Sequence, residues 1–198
     1  MVGYGVDRID VDLNYPRFFV SYSQCLKGVF ESDFNYSKLQ LYYRQPLLIG
    51  GFGRLFSTLE IGKTFGAVPL SLMGIIPGNQ SYFIIDNTYN LLNYYDFVAD
   101  QYTSLHLEHN FNGKLFARVP LLRKLNWREI IGVKAVYGSV SDENIALNAS
   151  GQSYQAPVNG YYEYSAGIGN IFKVMRIDGA WRGSYFNVPD ARKFTIRV

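Results

Sequence analysis

The chain has 198 residues, enough for one domain and too few to require two. Charged residues make up 18% and the net charge is +3, with the basic residues scattered; that excludes an arginine-rich arm or recognition helix, and with it nucleic acid as a partner. The single Cys25 excludes an internal disulfide framework, and no apolar run approaches the ~18 residues of a membrane helix.

Aromatic residues reach 17%, with 17 Tyr and 14 Phe, yet mean hydropathy is −0.05. Such a profile suits a β-rich chain, because aromatic and β-branched side chains fit pleated surfaces. It suits a transmembrane β-barrel equally, since a barrel wears aromatic girdles and hides polar residues inside. The opening stretch "MVGYGVDRIDVDLNYP" lacks the basic start, apolar centre and small-residue cleavage site of a secretion signal. An exported barrel therefore needs a signal upstream, or the membrane reading fails.

In chain order, alternation predicts strands over 17–25, 35–45, 53–65, 102–111, 128–138, 161–169, 172–183 and 192–198. No long segment has a helical period. The expected fold is all-β: an antiparallel transmembrane β-barrel of about eight strands, either a small barrel or the C-terminal part of a larger one. The chain is expected to be a single domain, 1–198. Most strands have roughly the ~9–11 residues that cross a bilayer when tilted.

The connections are unequal. "PLLIGG" (46–51) is short, 66–100 is long, 113–126 is intermediate, 139–160 is long, and the turn around 170–172 is tight. Short turns at one end and long loops at the other are the habit of outer-membrane barrels.

Each strand has two unlike faces. One carries Lys38, Arg44, Arg54, Glu60, Glu108, Arg128, Lys134, Glu163, Arg176, Asp178, Arg182, Lys193 and Arg197. Of these, Lys38, Arg54, Glu60, Glu108, Lys134, Glu163, Arg176, Asp178 and Arg182 are expected to form a luminal charged face. The other face is nearly free of charge, with Lys63 and Glu129 near strand ends. Trp127, Tyr137, Tyr162, Tyr164 and Trp181 fall near strand ends, where Tyr and Trp mark a membrane interface. Loop lengths assign further aromatics to two belts: Tyr94, Tyr95, Phe97, Tyr102 and Tyr161 at the long-loop end, and Phe18, Tyr42, Tyr43, Phe111, Phe116 and Phe172 at the other. Alternation alone cannot tell this arrangement from a soluble β-barrel or sandwich that binds an apolar ligand inside. In that fold the apolar face is the core and the charges meet water.

Chemistry-bearing clusters are few. In "HLEH" (106–109), His106 and Glu108 share a strand face while His109 points away, so the spacing does not converge on a metal. A surface enzyme using His106 and Glu108 is the third reading. "GQSYQ" (151–155) lacks the nucleophile-elbow pattern. "GGFGR" (50–54) reads as a turn, not a phosphate loop. "SDEN" (141–144) reads as a solvated acidic turn before calcium is considered. "PLLRKLNWRE" (120–129) reads first as a structural plug or turn; the alternative is a short amphipathic element at the inner rim, with Arg123, Lys124 and Arg128 meeting lipid phosphates or Arg128 pairing in the lumen. No catalytic residue, cofactor or metal is expected, and the chain is not expected to be an enzyme.

Four long strings have a further use: "LEIGKTFGAVPLSLMGIIPGNQSY" (59–82), "NLLNYYDFVADQYTSLHLEHNFNGKLFARVPLLRKLNWRE" (90–129), "YGSVSDEN" (137–144) and "NVPDARKFTIRV" (187–198). They resemble the uncharacterised outer-membrane family of Bacteroidota that joins a carboxypeptidase-regulatory-like domain to a C-terminal β-barrel. The resemblance implies that this chain corresponds to the barrel portion. Family members are longer, with a signal, the regulatory-like domain and more strands upstream. They also end on an aromatic read by the outer-membrane assembly machinery, whereas this chain ends at Val198. The implied location is the cell outer membrane. The implied partners are the lipid bilayer, the assembly machinery and an upstream domain. The implied role is structural, in transport or in surface assembly, without bond-making chemistry.

Overall fold

The computed structural model describes residues 15–29, 32–148, 154–188 and 190–198. Most of the opening stretch (1–14) and residues 151–153 of "GQSYQ" lie outside the described residues.

One antiparallel sheet dominates. Its strands are β1 (Arg17–Cys25), β2 (Tyr36–Leu48), β3 (Arg54–Phe65), β6 (Gln101–Asn110), β7 (Arg128–Ser139), β8 (Tyr161–Ile171), β9 (Met175–Arg182) and β10 (Phe194–Arg197). They pair in that order, each with its successor, to give an 8-stranded meander. Two short strands, β4 (Gly74–Ile75) and β5 (Val98–Ala99), pair with each other inside the 66–100 connection. Helix is confined to short pieces, chiefly α1 (Pro120–Arg123) and α2 (Asp142–Leu147). Among the described residues no ladder joins β1 to β10.

Strands β1, β3, β6 and β7 keep the bounds that alternation predicts to within a residue, β2 and β8 run longer, and β9 and β10 are shorter than the expected 172–183 and 192–198. β2 runs on through Pro46, which lies opposite Phe56 of β3, so 46–51 is not wholly a connection. Pro is tolerated there because the β1 ladder ends at the Arg17–Arg44 pair. Past that point β2 has β3 on one side only, and a missing N–H costs no ladder bond. The turn into β9 is tight: Asn170, Phe172 and Lys173 all have positive φ, and regular pairing resumes at Met175.

The 49–53, 111–127 and 172–174 connections share one end of the sheet. Those at 26–35, 66–100, 140–160 and 183–193 share the other. The short-turn end also needs a glycine. Gly53 has φ +99, and a Cβ there would sit 2.0 Å from the carbonyl oxygen of Asn110.

The core lies on the charged face. The 66–100 segment folds back over the sheet, and its Ile76, Tyr89, Leu92 and Phe97 pack with Val136 and Tyr161 from the strands. A second cluster, Val68, Met73 and Val98, packs beside Tyr36, Leu70 and Val140. The sequence places Tyr161, Phe97 and Tyr102 in an aromatic belt by their height. The structure corrects this. Tyr161 and Phe97 are buried in the core, and Tyr102 packs against it and donates to Glu60 Oε1 at 2.6 Å. Tyr161 has the parity of Glu163, so the period of two overrides height. Tyr42 likewise points to the covered side, where Asn87 donates to its hydroxyl.

The opposite face is apolar and uncovered. Val133 is 48% and Tyr137 59% exposed, whereas Glu163 and Arg182 on the covered face are 1% and 3% exposed. Leu39, Ile61, Leu105, Ile131, Ile177, Phe194 and Ile196 are also exposed on that side. Its two charges sit near strand ends: Lys63 lies over the Phe65 ring, and Glu129 accepts the backbone N–H of Phe116.

Candidate functional site

An irregular segment lying across a sheet must find partners for its backbone groups. On this sheet, charged side chains provide them. Arg182, at the end of β9, donates through its guanidinium to the carbonyls of Leu91 (2.8 Å), Tyr185 (3.2 Å) and Arg192 (2.9 Å). Arg197 on β10 donates to Asn79 (2.8 Å), Asn90 (2.7 Å) and Ser81. Arg192 reaches the carbonyls of Asn79 and Leu92.

Glu163 on β8 does the converse. Its carboxylate accepts the backbone N–H of Asn90 (2.7 Å) and Leu91 (3.1 Å) and the hydroxyl of Tyr161 (3.1 Å). Lys134 on β7 stands 3.9 Å from Glu163 and donates to the carbonyl of Thr88 at 2.7 Å. Residues 79–92 are thus held by donors and acceptor together. The Tyr89 hydroxyl completes the set, within 2.7 Å of Ser104 Oγ and donating to the carbonyl of Ala135 at 2.8 Å. Burial pushes the pKa of Tyr89 above its ordinary value, so this phenol stays neutral.

The two ends of the segment are tied at α2. Asn144 accepts the N–H of Val68 (2.8 Å) and donates to Asp100 Oδ2 (2.9 Å). Ser141 N donates to the same oxygen at 2.8 Å, and Asn148 pairs with the backbone of Val68 and Leu70. In "SDEN" the acidic Asp142 and Glu143 are exposed, as a solvated stretch requires, but the stretch is not a turn. Asn144 is buried, and the stretch begins a helix that fastens the long connection.

Beside this held region lies a polar cavity of about 170 Å³. Its wall includes Arg44, His106, Glu108, Lys134, Arg176 and Asp178. Arg176 grips Glu108 with two hydrogen bonds (3.1 and 2.7 Å) and Asp178 with two more (2.8 and 2.5 Å). His106 meets the Tyr89 ring edge-on at 4.8 Å. Glu108 is thus committed to a guanidinium and His106 to an aromatic contact. Among the described residues no group of three or more His, Cys, Asp or Glu converges on a metal position. Of the other residues expected on the charged face, Arg54 and Arg44 both lie over the Phe56 ring, and Glu60 takes the Tyr102 hydroxyl. Lys38 lies opposite Thr64 in the β2–β3 ladder.

The aromatics expected at the interfaces are on the uncovered side or at its end. Tyr164 and Trp181 stack at 5.8 Å, and Trp181 also meets Phe194. Tyr137 and Tyr162 are exposed, and Trp127 packs against Phe116 at the short-turn end.

Residues 3–150 match the C-terminal domain of a family of unknown function, DUF5686. The chain belongs to this family. No curated protein and no solved structure matches it. The match takes in the whole held segment and the α2 latch, together with strands β1 to β7. The arginines that hold the segment, Arg182, Arg192 and Arg197, lie beyond the matched residues.

What sequence reading missed is the held segment itself. Val68, Met73, Ile76, Tyr89, Leu91 and Phe97 have no period, because they bury against the sheet from an irregular backbone. A usable signal existed: a connection of this length is uncommon unless it has structure or function of its own, and this one is rich in Leu, Ile and aromatics.

Proposed function

We propose that this DUF5686 domain is the wall of an outer-membrane β-barrel whose interior is stoppered by its own 66–100 segment. Its role is in passage or assembly of molecules at the cell surface, without bond-making chemistry. One observation supports this best: the apolar face is the exposed one, and the charged face is the one covered. A water-soluble fold reverses that order, because leaving apolar surface wet costs about 25 cal/mol per Å². The soluble ligand-binding alternative would need the Val133 and Tyr137 face to be its interior.

Strand length agrees. β3 and β7 each have 12 residues, a rise of about 40 Å. Tilted by about 45°, they cross the ~25 Å apolar band of an outer-membrane barrel. The stopper argues against an open pore. Any passage requires residues 79–92 to leave Arg182, Arg197 and Glu163, or to use the polar cavity beside them.

Membership in the Bacteroidota family with a carboxypeptidase-regulatory-like domain, assembly by the outer-membrane machinery, and barrel closure all belong to this proposal. Closure would need more than β1 meeting β10. Arg182 N donates to the Lys193 carbonyl, so Val198 faces away from β9, where it exchanges hydrogen bonds with Tyr82 and Ile84. The segment therefore already takes up part of the β10 edge, while the β1 edge has no partner among the described residues.

The test is extraction of the expressed chain from membranes. The expected result is a requirement for detergent and a folded band that migrates differently before and after heating. A chain soluble and monomeric without detergent would overturn the proposal.

A further inference from the structure

Sheet turns that face water are normally polar. At the short-turn end the opposite holds: Phe172 is 82% and Val174 86% exposed, and Leu48 and Leu121 are almost as open. Cations are interleaved with them. Lys114, Arg118, Arg123, Lys124 and Arg128 fall within 111–128 with no acidic residue among them.

The 111–127 connection and the 170–174 turn are fastened to each other, since Asn170 donates its side-chain amide to the carbonyl of Asn126 at 2.8 Å. Between them opens a cleft of about 650 Å³. Arg123, Arg128 and Lys173 line it, with Asn112 and Asn126 as further polar groups and Trp127 and Phe116 as an aromatic wall. No carboxylate lines the cleft, and among the described residues none of its three cations has an ion-pair partner. Three unpaired cations around one hollow repel each other and attract an anion. Guanidinium groups suit phosphate oxygens in particular, because their paired donors match them.

We infer that this cleft binds the phosphate of an anionic phospholipid headgroup, in the membrane leaflet at the short-turn end. Arg123, Arg128 and Lys173 take the phosphate, and Leu121, Phe172 and Val174 enter the acyl boundary beside it. The commitment to lipid over free phosphate rests on that exposed apolar fringe, which a soluble anion would leave in water. It continues the apolar outer face of the sheet. The inference rests on the membrane reading above and adds a ligand class and a leaflet to it.

The test is native mass spectrometry of the full chain purified in detergent. It would be incubated with phosphatidylglycerol, with phosphatidylcholine, or with inorganic phosphate. The variants are Arg123→Gln/Arg128→Gln/Lys173→Gln and, as a charge-matched control at exposed sites outside the cleft, Lys27→Gln/Lys63→Gln/Lys193→Gln. Heat-dependent gel migration reports separately whether each protein is folded as a barrel. The expected result is retention of phosphatidylglycerol over phosphatidylcholine by the wild type and the control, falling on the order of tenfold or more in the cleft variant. Equal retention of the two lipids, or unchanged retention in the folded cleft variant, overturns the inference and leaves the membrane reading standing. Release of the lipid by millimolar phosphate would reassign the site to a free anion and overturn it too. A wild type that is soluble without detergent fails the membrane reading itself.

Discussion

Arg182 on β9 donates to the carbonyl of Leu91 across 2.8 Å, although 91 positions separate them in the chain. Directly across the β8–β9 ladder, Glu163 pairs in register with Arg182 and accepts the N–H of the same Leu91. One residue of an irregular segment thus has both backbone groups satisfied by oppositely charged side chains from adjacent strands. Both side chains are buried, and both are engaged by the segment's backbone. The covered charged face therefore works as a set of backbone clamps.

Replacing Glu163 with Ala removes the acceptor for two buried N–H groups and leaves Arg182 and Lys134 without their neighbouring anion. Loss of one member of a buried charged set costs roughly 3–5 kcal/mol. The strands keep their own ladders, so the sheet is expected to survive while the segment loosens. Limited proteolysis should then cut within 79–96 in the Glu163→Ala protein and not in wild type. Heat-dependent migration should be retained. Unchanged protection of the segment would mean that the apolar packing of Tyr89, Leu92 and Phe97 suffices to hold it.

The α2 latch allows a test of sign. Asn144 offers an acceptor to Val68 and a donor to Asp100. Ala at 144 leaves those groups unpaired, at about 1–3 kcal/mol for a buried unsatisfied partner. Asp at 144 keeps the acceptor but sets a carboxylate against that of Asp100. The urea midpoint should fall for both, and further for Asn144→Asp than for Asn144→Ala. The reverse order would mean that the Asp100 contact contributes nothing.

The strands were legible because each alternates strictly, and the ladder registers put Lys134, Glu163 and Arg182 in one row across β7, β8 and β9. Aromatic height was a weaker guide than parity: it put Tyr161 in a belt, whereas its period-two partner Glu163 marks it as covered. The segment from 66 to 100 was not legible as structure. Its contacts are with strands up to 118 positions away, as for Asn90 and Asn79 with Arg197, and no local period encodes them. The charged face was readable as one face. That its charges hold a backbone, instead of lining open water, needed the segment's path.

The two faces should respond oppositely to a new charge. Val133 is exposed midway along β7 on the apolar face, and Gln40 is half-buried on the covered side of β2, its amide 3.4 Å from the Tyr102 hydroxyl. In a bilayer, Arg at mid-depth on the outer side of a barrel costs about 2–4 kcal/mol. Val133→Arg should therefore abolish or sharply lower refolding yield in lipid vesicles. Gln40→Lys should refold close to wild type. Equal yields would remove the assignment of the Val133 face to lipid.

Gly167 provides the most local test. It stands opposite Asp178 in the β8–β9 ladder, and a Cβ there would lie 1.9 Å from Asp178 Oδ1. That oxygen is the one held by Arg176 Nε at 2.8 Å. Ala at 167 would push the carboxylate off its guanidinium, at roughly 1–3 kcal/mol for overpacking a tight site. Asp178→Ala alone leaves Arg176 still paired with Glu108, whose bidentate contact is independent of Asp178. In the double variant the added methyl no longer meets a carboxylate, so Gly167→Ala should cost little once Asp178 is gone. Unfolding in urea would read this as a coupling on the order of 1 kcal/mol or more between the two substitutions. Simple additivity would mean that the strands shift apart to admit the methyl and that the Arg176–Asp178 pair does not set their spacing.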